Sequence, residues 1–123
     1  MKGLVIKQKW ADQILSGIKP WEIRSRITHQ RGTRGIIKSG SGLVYGTVDL
    51  TDCIKLTLKD FEDNRDKHRI PASESSIVHH YKELFAWVVG NPQIFPKPIP
   101  YNHPQGAVIW VNLPEDILEG VNL

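Results

Sequence analysis

Pro20 follows Gly17 at the junction between a stretch with helical period and one that alternates like a strand. Gly17 stops a helix, because without a Cβ it takes the left-handed cap conformation. Pro20 keeps the helix from resuming and pushes Lys19 toward extended geometry. Upstream, Trp10, Ala11, Ile14 and Leu15 fall on one helix face. Before them, Leu4, Val5 and Ile6 form the short apolar run of a buried strand, ended by Lys7, Gln8 and Lys9. Downstream, residues 21–26 alternate apolar and charged, the period of a half-buried strand. Residues 3–26 therefore predict strand, short helix, tight turn and second strand.

The turn has a chemical consequence. Lys19, Glu22, Arg24 and Arg26 leave it together, beside the Trp10 face of the helix. Glu22 and Arg24 share one strand face, and Trp21 and Ile23 share the other. Two readings stand at this point: a functional site, or a solvated edge whose ion pair is worth under ~1 kcal/mol.

A length of 123 residues fits one domain, 1–123, with one core. No run approaches the apolar length of a membrane span. Lys7 and Lys9 interrupt the opening apolar run too early for a secretory signal. The single cysteine, Cys53, excludes an internal disulfide and fits a reducing, cytoplasmic setting. With no second Cys nearby, it reads as a plain buried thiol rather than a nucleophile or metal ligand. The net charge of +3 is modest, but its distribution is not. Residues 1–38 carry nine Lys and Arg against Asp12 and Glu22 alone, while Glu115, Asp116 and Glu119 make the end acidic. A basic half of this kind favours an anionic partner at that face.

Residues 27–35 are polar and Gly-rich, a loop from which Arg31 and Arg34 could reach a phosphate or simply remain solvated. Residues 35–38 read as a short strand and 39–42 (Ser-Gly-Ser-Gly) as a turn. That turn lacks the Lys and helix of a P-loop, which excludes nucleotide triphosphate binding of that kind, though its N–H groups could hold an anion. Residues 43–51 are the clearest long strand, with Gly46 marking a bulge or a close backbone approach. Residues 57–69 read as one polar helix capped by Thr57, with Leu58 and Phe61 as its core contacts. A second short helix is expected over 74–81. His79 and His80 are adjacent and cannot share a helix face, so no metal site is expected. Residues 84–89 read as a strand buried on both faces. Residues 91–104 hold five of the eight prolines and are extended, wrapping a barrel edge or presenting aromatic rings. Residues 105–112 are the last strand and 114–118 a helical turn. Short strands with one early helix and two central ones make an α+β fold, a small barrel with helices against its openings.

The first half of the chain resembles the ASCH (activating signal cointegrator homology) domain, a branch of the PUA-like β-barrels. The resemblance rests on Trp10-Ala11, Ile14-Leu15, Gly17-Ile-Lys-Pro-Trp-Glu-Ile-Arg-Ser25, Arg31-Gly32, Ile36-Ile37, Ser39-Gly40 and the stretch from Tyr45 to Cys53. It implies a curled sheet of five to six strands with a cleft between the first helix and the barrel. In relatives that cleft is associated with nucleic acid or modified nucleosides. The positions that match are Lys7, Gln8, Trp10, Lys19, Glu22, Arg24, Ser39 and Gly40, and Arg26 and Arg31 extend the basic cluster. Lys and Arg would supply phosphate contacts, and Trp10 or Trp21 a stacking face, unless those rings are core. The expected partner is RNA or a modified nucleoside, without membrane, metal or cofactor.

The resemblance also carries an enzymatic alternative. Some small bacterial ASCH proteins resemble amidohydrolases that deacetylate acetylcytidine, with a Lys where Lys19 stands, a Thr where this chain has Glu22, and a later carboxylate. Here that carboxylate falls between Glu62 and Glu74. Others resemble ribonucleases. In either case Lys19 and Glu22 would be the catalytic pair, but a close Glu22 is expected to keep Lys19 charged and oppose a base role. Glu22 matches the cointegrator-type domains better, which favours binding. A small-ligand or protein-interaction module, supported only by residues 91–104, is the third class.

Overall fold

The structure, a computed structural model, describes residues 1–121. Six strands form one sheet: β1 (Lys2–Ile6), β2 (Trp21–Arg24), β3 (Gly32–Lys38), β4 (Leu43–Leu56), β5 (Leu84–Pro100) and β6 (Trp110–Asn112). Their order is β2-β5-β4-β3-β1-β6. The β1–β3 pair is parallel and the other neighbours are antiparallel. The sheet curls as expected, but its edge strands β2 and β6 do not pair, so the α+β barrel is left open along one seam.

Helix α1 (Gln8–Leu15) follows β1 and buries Ala11, Ile14 and Leu15. These pack with Leu4, Ile6, Ile36, Val48, Leu50 and Phe85 in the main core inside the curl. Gly17 ends the helix at φ +86, the left-handed stop the sequence predicts. The amides of Ile18 and Lys19 then both donate to the Gln13 carbonyl, tying the turn to the helix. The outer face of β2 is covered as well. Trp21 and Ile23 pack with Leu56, Phe61, Val78 and Leu84 in a second cluster, so Trp21 is a core residue rather than a stacking platform.

The central helix differs from the sequence expectation. It breaks at Asn64 into α2 (Leu58–Asp63) and α3 (Arg65–His68). Thr57 caps α2 in a reciprocal box with Asp60. Phe61 is buried, but Leu58 is exposed. The expected helix at 74–81 is instead two short 3₁₀ turns, Ala72–Glu74 and Ser76–His80. No described helix is long and apolar enough to cross a membrane.

The strands are longer than the sequence suggests in the middle and shorter at the end. β3 starts at Gly32, inside the expected loop. β4 runs on to Leu56, and β5 runs through most of the Pro-rich stretch to Pro100, paired with β4 across three register shifts. β2 borders β5 only from Phe85 to Val88. Past that point no strand among the described residues borders the outer edge of β5, so Pro92, Pro96, Pro98 and Pro100 forfeit little ladder bonding. β6 is confined to residues 110–112.

Gly46 lies at one of those shifts. A Cβ there would collide with the Gln93 carbonyl oxygen and come within 3.0 Å of Leu15 Cδ2. Backbone cannot give way as a side chain can, so Gly46→Ala is expected to cost on the order of 1–3 kcal/mol. Gly90→Ala, where nothing lies within 4 Å of the added carbon, is expected to be neutral. Paired urea melts test this, and equal midpoints for the two variants would contradict it.

Candidate nucleic-acid interface

A cleft of about 330 Å³ opens where the start of α1, the turn into β2 and the central segment converge. Lys7, just before α1, and Trp10 within it supply one side, and Lys19, Glu22 and Arg24 come from the turn and β2. Ser39 follows β3, while Val5 and Val108 form part of the apolar wall. The central segment contributes Ile70, Glu74, Val78 and Tyr81.

The charged face of β2 points into this cleft rather than into open solvent. Glu22 and Arg24 sit opposite Trp87 and Phe85 of β5, on the main-core face of the sheet. Lys19 is only 1% exposed and Glu22 only 5%, which overturns the reading of a solvated edge. Arg24 donates from Nε at 3.1 Å and from Nη2 at 2.9 Å to Glu22 Oε2. Its Nη2 also donates to the Val5 carbonyl of β1, at 3.1 Å. One guanidinium thus ties β2 to β1 across the open seam.

Lys19 Nζ donates to the His68 carbonyl. It lies 3.9 Å from Glu22 Oε1, an ion-pair contact beyond hydrogen-bond reach, and 4.9 Å from the centre of the Trp10 ring. Burial lowers its pKa to about 8; Glu22 opposes that shift and Arg24 adds to it. Glu22 does favour the charged form of Lys19, as expected, but desolvation of the ammonium outweighs the carboxylate and leaves the pKa below its free value. At neutral pH about a tenth of the side chain is unprotonated.

His68 explains how that carbonyl is presented. Its ring is fully buried and stacks on Phe61 at 4.0 Å. Nε2 lies 2.7 Å from the Phe61 carbonyl oxygen, and Nδ1 accepts from the Ile70 amide at 2.9 Å. This pattern needs a neutral ring protonated on Nε2, in line with a pKa that burial lowers. With the ring locked, Arg69 ends α3 in the left-handed conformation, at φ 60.

Six of the residues proposed from sequence therefore meet in one cleft: Lys7, Trp10, Lys19, Glu22, Arg24 and Ser39. Gln8 is exposed at the start of α1, outside the lining. Gly40 belongs to a neighbouring depression that shares Ser39. Arg26 and Arg31 line other depressions, away from Lys19. Within the Glu62 to Glu74 range, Glu74 lines the cleft, paired with Lys9 at 2.5 Å. Sequence reasoning missed His68, because its contribution is a backbone carbonyl, and Tyr81. A Tyr just before a strand was the only signal for the latter. Among the described residues no cluster of three potential metal ligands occurs.

A model of the ASCH domain family matches residues 4–99. Among the solved structures that share the fold are three from one organism. ASCH from Zymomonas mobilis is 15% identical, with a TM-score of 0.75 over 96% of this chain and 90% of that one. A serine-to-alanine variant of that protein is 16% identical, with a TM-score of 0.75 over 96% and 91%. A tyrosine-to-phenylalanine variant is 16% identical, with a TM-score of 0.73 over 96% and 93%. No match is found among curated proteins.

The buried ammonium sets a pH signature. Lys19 has a pKa of about 8 when folded and 10.5 as a free side chain. The unfolded chain therefore holds this proton more tightly, and stability rises with pH through that window. Between about pH 7 and about pH 9.5 the gain is about 2 kcal/mol. Lys19→Met should lack it. Urea unfolding of both proteins at the two pH values reads the difference, and parallel pH dependences would exclude a desolvated Lys19.

Proposed function

This chain belongs to the ASCH domain family, and we propose that it is an RNA-binding domain that holds one nucleoside unit in the cleft lined by Lys7, Trp10, Lys19, Glu22, Arg24 and Ser39. The observation that carries the reading is the pairing of size with charge. About 330 Å³ suits a nucleoside-sized group. Around it Lys7, Lys9, Lys19 and Arg24 outnumber Glu22 and Glu74, and both carboxylates already have basic partners. Surplus cation remains for a phosphate.

Trp10 is half-buried, with one part of the ring on the core and another on the cleft. It gives a base an aromatic surface worth ~1–3 kcal/mol. Lys9, 4.8 Å from the same ring, is exposed and can swing aside. The single Cys53 suits a reducing, cytoplasmic setting.

The lowered pKa of Lys19 favours one second reading, hydrolysis of a modified nucleoside or of RNA. A partly unprotonated amine beside Glu22 Oε1 could activate a nucleophile, with the carboxylate moving the proton on to the leaving group. Binding ranks first because Glu22 Oε2 already takes two hydrogen bonds from Arg24, which fix the carboxylate as part of the cleft wall.

Fluorescence anisotropy with a short single-stranded RNA tests the reading. Binding should weaken steeply from about 50 to about 200 mM salt. Lys7→Gln, at an exposed position, should leave stability unchanged and flatten the log–log salt slope by about 0.7. Recovered RNA is run on a gel, and acetylcytidine is assayed beside it. Cleaved RNA, or deacetylation that rises through about pH 8 and is lost in Lys19→Met, would move the reading to the enzyme. No binding at low salt would end the RNA reading.

A further inference from the structure

The cleft does not end at Arg24. Arg24 and Tyr81 also line a groove of about 360 Å³ along the open seam of the barrel, floored by Trp87 and Trp110. Ile27, Thr28 and Trp110 carry it on into a wider depression holding Arg31 and Arg34. We propose that this seam groove is a second subsite, which takes the nucleotides flanking the one in the cleft, so that the ligand is single-stranded RNA several nucleotides long rather than a free nucleoside. The proposal rests on the RNA reading of the cleft and specifies its substrate class.

Charge is the first argument. Arg24, Arg26, Arg31 and Arg34 line the groove and its extension, with no Asp or Glu among the described lining residues. Of these only Arg24 has an ion-pair partner among the described residues. Arg31 Nη1 donates only to the Thr28 and Gln30 carbonyls, and Arg34 Nη1 to the Thr33 carbonyl. Backbone carbonyls orient these guanidinium groups without neutralising them. Such a surface repels itself and attracts a polyanion.

The aromatic floor is the second argument. Trp87 and Trp110 lie nearly parallel, 9° apart, with ring centres at 5.7 Å. The Arg24 guanidinium is 5.4 Å from the Trp87 ring. Trp110 remains partly exposed in the groove. The Trp87 indole donates to the Arg26 carbonyl at 2.9 Å, which holds the arginine-bearing loop over the floor. Trp87 is buried and backs the partly exposed Trp110, so one stacking ring flanked by cations lies on a continuous track, which suits single-stranded nucleic acid. A site for a single nucleoside needs nothing beyond the cleft.

A length series tests the proposal: anisotropy competition by a mononucleotide, a trinucleotide and a hexanucleotide RNA, and by inorganic polyphosphate of matched charge. Affinity should climb with length in the wild type, and polyphosphate should compete less well than RNA of equal charge. The double variant Arg31→Gln/Arg34→Gln should bind the mononucleotide as the wild type does. It should lose about tenfold for the hexanucleotide, with a salt slope flatter by about 1.4, or about 0.7 for each cation removed. Trp110→Leu should reduce hexanucleotide affinity without changing the salt slope. A mononucleotide that binds as tightly as the hexanucleotide would overturn the second subsite while leaving the cleft reading intact. So would an unchanged length gain in the double variant, or polyphosphate matching RNA. If neither the mononucleotide nor the hexanucleotide binds, the cleft reading fails and the groove falls with it.

Discussion

Taking the Lys19 ammonium out of water is the constraint on which the cleft depends. A buried cation survives only with compensation around it, and here that comes from three directions. The His68 carbonyl accepts its hydrogen bond, Glu22 lends opposite charge at 3.9 Å, and the Trp10 ring lies 4.9 Å away. Each partner belongs to a different element. The contact therefore joins the turn into β2, the end of α3 and the face of α1 at one point. Any shift of the central segment would strip Lys19 of its carbonyl, so the cleft wall and the buried charge stand or fall together.

Arg24 has the complementary role. An open barrel leaves two sheet edges facing each other, and β2 here is short. Through Nη2 the guanidinium joins the Val5 carbonyl of β1 to Glu22, bridging by side chain a gap that no backbone ladder closes. Val5 uses its amide in the other direction, donating to the Ile109 carbonyl at 2.9 Å just before β6. The seam is thus held at a fixed width without being sealed. A closed ladder between β2 and β6 would occupy the space between the edges that now forms the groove.

What the sequence revealed and what it concealed divide by range of interaction. Gly17, Pro20 and the alternation from Trp21 to Arg24 are local signals, and they placed the turn and its charged residues correctly. Gly46 was legible too, because only a close approach or bulge explains a glycine in an otherwise strong strand. The break at Asn64 was not, since the mixed-charge run 57–69 has helical composition throughout. Ring stacking of His68 on Phe61 and the left-handed Arg69 belong to tertiary packing instead. The length of β5 was hidden by its prolines. They argue against a central strand, and nothing local says that strand pairing on its outer edge stops at Val88. Burial of Lys19 was likewise invisible, because alternation separates two faces of a strand without saying that both are covered.

The covering of both faces of β2 is also what separates the two chemistries open to the cleft. Were its charged face solvated, Lys19 would be an ordinary cation and only phosphate attraction could be argued. Burial pulls its pKa to about 8, where binding and proton transfer are both open to it. The decision then passes to Glu22. Its carboxylate takes two hydrogen bonds on one oxygen from Arg24, a charge-assisted contact that fixes where it points. The geometry that keeps the seam together therefore also fixes the Glu22 carboxylate, and leaves a cleft in which the cations outnumber the carboxylates.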